Sequence, residues 1–79
     1  MTWQQVHDAV AAAMKLFKFT VPVEQGDLEA VRGHITNNCV PADCTVRVMA
    51  VHPRFVRVVV RDYHNQPCYD QEHIVHEAV

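Results

Sequence analysis

Residues 45–63 read TVRVMAVHPRFVRVVVRDY, alternating Val with Arg on either side of a break at His52-Pro53-Arg54. Period-two alternation of apolar and polar residues, interrupted by a Pro-containing turn, predicts a β-hairpin with one buried face. The register decides which side chains share that face. A three-residue loop, His52–Arg54, pairs Val51 with Phe55 and Met49 with Arg57. Val46, Val48, Ala50, Val56, Val58 and Val60 then lie together on one side. Loops of two or four residues pair even with odd positions and set Val48 on the same face as Arg57, so the three-residue loop, which buries every Val of the alternation, is the expected one.

The valine face needs a cover, and the N-terminal half supplies it. Trp3, Val6, Val10, Ala13, Met14 and Phe17 recur at helical spacing, and Thr2-Trp3-Gln4-Gln5 has the form of a capping box. The first helix is therefore expected from about residue 3 to about residue 18. Pro22 pushes Val21 into extended backbone, which makes residues 19–23 a connector or a short edge strand. Asp27 is a good N-cap for a second helix over roughly residues 28–37, with Leu28, Val31 and Ile35 as its stripe. Asn37-Asn38 offers a left-handed residue to end it.

Beyond the hairpin, His64-Asn65-Gln66-Pro67 is a second turn. A third strand returning along residues 54–63 sets Arg61 opposite Asp70 if the loop is Asn65-Gln66. The competing reading uses Asp70 as the N-cap of a helix containing Ile74, Val75 and Ala78. The strand is preferred. The architecture expected is a single α+β domain over residues 1–79, in which two N-terminal helices pack on one face of a small antiparallel sheet in α-α-β-β-β order. A core of this size gives a stability of about 3–5 kcal/mol, and monomer and homodimer are both compatible with that.

Composition narrows the function. The formal net charge is −2, which argues against a general polyanion binder. Residues 45–61 hold four Arg and no acid, whereas residues 62–79 hold Asp62, Asp70, Glu72 and Glu77 and no Lys or Arg. Three cysteines with no basic and apolar leader before them point to a reduced, cytoplasmic chain. No apolar run approaches transmembrane length.

The second face of the hairpin carries Thr45, Arg47, Met49, Val51, Phe55, Arg57, Val59 and Arg61. Arginines interleaved with Met, Phe and Val are what interface centres favour, and solvent-facing strands normally carry Thr, Lys, Glu and Gln instead. Arg47, Met49, Phe55, Arg57, Val59 and Arg61 are thus the candidate binding residues, for a protein partner with an acidic surface. Cover by the acidic C-terminal segment is the alternative use of the same face. Nucleic acid is a second choice of partner, because the face holds one aromatic and no KH loop or paired stacking aromatics occur. Membrane is not expected.

Cys39-x4-Cys44, His64-x3-Cys68 and His73-x2-His76 approach zinc-ligand spacing but lack a C-x2-C knuckle, so a structural zinc protein is a further alternative and no cofactor is expected. Cys68 beside His64 is the sole sequence-local nucleophile and base pair, and on a wet turn it has no cleft around it. The six histidines stand singly, and no enzyme is expected. Small, motif-free, mildly acidic single domains are common among phage- and mobile-element-encoded inhibitors, anti-CRISPR proteins included. On that compositional association the expected function is a non-enzymatic module that blocks a partner surface.

Overall fold

Thr2 opens the first helix as the sequence predicts. Its hydroxyl accepts from the Gln5 amide at 3.2 Å, and the Gln5 side chain accepts in return from the Thr2 amide at 2.8 Å, so two of the orphan donors of the first turn are satisfied. The computed structural model describes residues 2–77. Helix α1 spans Trp3–Leu16 and buries Val6, Val10, Ala13 and Met14. It stops two residues short of expectation because Phe17 adopts extended backbone. That turn swings Phe19 into the core. Lys18–Phe19 form the short strand β1.

Helix α2 spans Gln25–Asn38 and begins earlier than Asp27 as N-cap implies. Glu24 is the N-cap, and Asp27 lies in the first turn. There its carboxylate accepts from the Thr20 amide at 2.9 Å, from the Thr20 hydroxyl, and from the Glu24 amide at 3.5 Å. These bonds hold the Asp27 carboxyl below its ordinary range, the Thr20 hydroxyl being the largest cause. Asp27 therefore fastens the connector to the helix start, where a negative charge also suits the dipole. At the other end Asn37 and Asn38 supply no left-handed residue. The helix runs through both, the Asn38 side-chain Nδ2 donates to the His34 carbonyl at 3.0 Å, and Cys39 caps in right-handed backbone.

Strands β2 (Thr45–His52), β3 (Phe55–Arg61) and β4 (Pro67–Ile74) form an antiparallel sheet in chain order, with β3 central. Met49 opposes Arg57, Val48 opposes Val58 and Val46 opposes Val60, as the expected register requires. The hairpin tip differs. His52 pairs with Phe55 around a two-residue turn, and an irregularity between Ala50 and His52 leaves Val51 out of the ladder. His52 is held there by accepting from the Arg54 amide at 3.1 Å and by an edge-on contact with the Phe55 ring.

The third element is a strand. Its register is shifted from the expected one: Asp70 opposes Val59, and Arg61 opposes Pro67 across a bulge. Asp62 causes the shift, because its side chain accepts from the His64 and Gln66 amides at 2.9 and 3.0 Å and builds a wider turn. Asn65 completes that turn in the left-handed region, with φ of 63°, a conformation Asn tolerates. The slip is by two residues, so every side chain keeps its face. After Val75 the chain forms β5, His76–Glu77, which pairs in parallel with β1. The helical alternative for the C-terminal segment is thereby replaced, and Ala78 lies outside the described residues.

Both helices lie on the same side of the sheet. The core joins Val6, Val10, Met14, Phe19, Leu28, Val31 and Ile35 to Val46, Val56, Val58, Val60 and Tyr69 of the sheet. Val48 is half-buried, and Ala50, although on the valine face, is exposed because the hairpin tip runs past the helices.

Candidate functional site

The face of the sheet turned away from the helices carries all six candidate residues in registered rows. Arg47, Val59 and Asp70 make one row; Met49, Arg57 and Glu72 make the next; Phe55 and Ile74 follow. Arg61 stands at the far end, opposite Thr45. Val59 is 5% exposed yet is not part of the core cluster. It is buried from the open side, between the strands bearing Arg47 and Asp70.

Arg57 is the best-held residue of the face. Its Nε donates to Asp70 Oδ1 at 2.7 Å and its Nη2 to Oδ2 at 2.5 Å, a forked pairing that runs diagonally between β3 and β4. Hydrogen bonding from Arg57 keeps the Asp70 carboxyl below its ordinary value, and Asp70 in turn raises the guanidinium. Both groups remain exposed to solvent, so the pair orients the guanidinium and contributes only modestly to stability. Sequence spacing assigned Asp70 to Arg61. The turn built by Asp62 moves it to Arg57, and Arg61 instead donates to the Asn65 carbonyl at 3.1 Å.

The acidic strand thus lies beside the arginines and does not cover them. Arg47 is exposed, Met49, Phe55 and Arg61 are half-buried, and no described element lies over them. Two residues join the face that the hairpin alone could not reveal: Glu72, opposite Arg57, and Ile74, which is 68% exposed beside Phe55. The even-numbered positions of the third strand were the available signal, because parity places Asp70, Glu72 and Ile74 with the arginines.

No family model, curated protein or solved structure matches this chain.

The cysteine and histidine spacings do not converge. Among the described residues no three His, Cys, Asp or Glu side chains are placed to hold an ion. Cys39 is buried with its thiol toward the Ala9 carbonyl at 3.6 Å, and all three cysteines are free. Burial is the first cause that raises each thiol above its ordinary value, reinforced at Cys44 by Asp43 and at Cys68 by Asp62. Such thiols are protonated at neutral pH, the opposite of an activated nucleophile. His64 packs on Tyr63, while the Cys68 thiol turns to the Gln66 carbonyl at 3.4 Å.

A second polar group lies under α1. The Tyr69 hydroxyl is 2.6 Å from His73 Nε2, and His7 meets the Tyr69 ring edge-on while its own Nε2 donates to the Cys68 carbonyl at 3.1 Å. Burial pushes the His73 imidazole down, so the folded chain holds it neutral where the unfolded chain takes up a proton. Its contribution to stability is complete above the unfolded value of about 6.5 and is lost as pH falls through the lowered folded value. In urea titrations across that range, the wild-type midpoint is expected to fall more steeply on acidification than that of His73→Gln. Parallel slopes would assign the acid sensitivity to other groups.

Proposed function

We propose that the protein is a non-enzymatic binding module that seats the open sheet face on an acidic surface of a partner protein and blocks that surface. The observation that carries the reading is a layered, half-covered sheet: two helices bury one face, while the other presents Arg47, Arg57 and Arg61 around Met49, Phe55 and Val59. The planar guanidinium forks of Arg47 and Arg61 give geometric specificity toward carboxylates, and Met49 and Phe55 between them provide area that gains from losing water. Steric occupancy of this kind is how a phage- or mobile-element-encoded inhibitor, an anti-CRISPR protein among them, would act, and it needs no catalytic group. The setting that fits is the cytoplasm, with the three thiols reduced.

The composition of the face favours protein over nucleic acid. Asp70 and Glu72 interleave with the arginines; a protein surface can set cations of its own against them, whereas a phosphate backbone laid across the strands is anionic throughout.

Arg47 and Arg61 test the reading better than Arg57, whose replacement also breaks the pair with Asp70. Wild-type chain used as bait in lysate of the native host is expected to retain a partner identifiable by mass spectrometry. The variant Arg47→Glu with Arg61→Glu is expected to reduce that capture to background with an unchanged circular dichroism spectrum. A partner held equally well by the folded double variant would overturn the proposal.

A further inference from the structure

The sheet has a second unpartnered feature, independent of the arginine face. Strand β4 is an edge: it pairs with β3 on one side and with nothing described on the other. Alternate residues of an edge strand direct N–H and C=O groups outward, and natural edges are commonly blunted by Pro, Lys or bulges. In β4 the bulge and the proline are both confined to the start, at Arg61/Pro67. From Tyr69 to Ile74 the strand has no Pro, Lys or Arg.

Directly beside this edge is an open cleft of about 340 Å³. One wall is Ala11, Met14 and Lys15 of α1; the other is Glu72, His73 and Ile74. Three successive residues of one strand point alternately to opposite faces, so a cleft that touches all three lies along the strand's side, where a fourth strand would run. His76 closes its end. We propose that β4 accepts an extended peptide segment of a partner protein as a fourth strand, one in which basic residues alternate with apolar ones.

The chemistry of the edge selects that occupant. Side chains of the added strand on the helix side enter the cleft over Ala11 and Met14, which suits apolar groups. Those on the open side lie next to Asp70 and Glu72. Asp70 is committed to Arg57, whereas Glu72, although opposite Arg57 and within the field of its guanidinium, accepts no hydrogen bond and forms no close ion pair among the described residues. A cation opposite Glu72 is favourable, and like charges directly opposite are not. The same rule disfavours a second copy of this chain. Two β4 strands related by a two-fold axis centred on Asp70, Gln71 or Glu72 set a carboxylate opposite a carboxylate. Main-chain pairing supplies the affinity in such complexes, and the alternate side chains supply the selectivity.

The test uses the whole chain and a synthetic peptide of the same eight-residue length as β4, alternating lysine and valine, with a glutamate-valine peptide as its counterpart. Hydrogen exchange read by NMR is expected to show protection at alternate β4 amides when the lysine-valine peptide is added. The glutamate-valine peptide is expected to bind about ten-fold more weakly, the sum of one attraction lost and one repulsion gained. Glu72→Lys, a change at an exposed position, is expected to reverse the order of the two peptides. The proposal is overturned by unprotected β4 amides at millimolar peptide, by protection confined to β2 or the helices, or by a lysine preference that survives Glu72→Lys. Concentration-dependent dimerisation through β4 without peptide would overturn it as well.

Discussion

Replacing Phe19 by Ala is expected to leave the chain largely unfolded at room temperature. Phe19 is 1% exposed and is the largest of the fully buried side chains. It stands on the two-residue strand β1, just after α1 ends, with the Phe17 ring 6.4 Å away and the C-terminal strand β5 alongside. Truncating a buried Phe to Ala costs about 3–5 kcal/mol, because the lost transfer energy is joined by a cavity that neighbours fill only in part. That equals the whole stability of about 3–5 kcal/mol expected for a domain of this size. Circular dichroism should show the loss of cooperative structure, and Phe19→Leu, which keeps most of the volume, should retain a urea transition. A Phe19→Ala variant that unfolds cooperatively within about 1 kcal/mol of wild type would show that the site collapses around the cavity, contrary to the packing described.

The second large effect separates two adjacent valines. Val58 and Val59 are both buried, but Val58 faces the helices and Val59 the open side. Aspartate at Val58 sets a carboxyl in the core cluster that also holds Val10 and Val31, where no described polar or charged side chain is buried, and an uncompensated buried charge costs about 3–5 kcal/mol. Aspartate at Val59 loses the valine's burial, about 1.5–3 kcal/mol at most, and gains a place directly opposite Arg47. The expected result is an unfolded Val58→Asp and a folded, weakened Val59→Asp, read from urea midpoints and amide NMR spectra. Equal losses at the two positions would mean that the open face is as closed as the core.

That contrast also marks how far the sequence could be read. Alternation with period two specified which valines face the helices and the pairing of Met49 with Arg57, because a one-residue slip would turn every Val to the other face; that Val59 is buried on the open side was not legible from it. Val6, Val10, Ala13 and Met14 of the α1 stripe and its capping box were equally legible, since each rests on neighbours three or four residues apart; Trp3, expected in the stripe, is 39% exposed at the helix start, and Phe17 lies past the helix end. What escaped was set by side chains reaching over the backbone. Asp62 widens the second turn and carries Asp70 from Arg61 to Arg57. Asp27 reads as a helix cap but serves as the tie between α2 and Thr20. The bulge at Val51 follows from His52 folding back on Arg54 and Phe55. None of these has a periodic signature. The candidate face was legible from the hairpin, but its acidic and apolar border, Glu72 and Ile74, depended on the third strand's parity. The cleft beside β4 depended on where α1 crosses the sheet, which no local pattern encodes.

The pairing of β1 with β5 has one more consequence, which concerns chain entropy. The three-stranded sheet closes only short loops, because its strands follow one another. Lys18 meets His76 and Phe19 meets Glu77, so all the chain between the end of α1 and β5 lies inside the loop that this two-residue clasp closes. Loop-closure entropy grows with the logarithm of length, and each doubling adds only about 0.6 kcal/mol. A clasp that encloses α2 and the entire sheet therefore costs little more than one enclosing half as much. Its strength rests on Phe19 and Val75, buried beside it, and hardly at all on how much chain it gathers in.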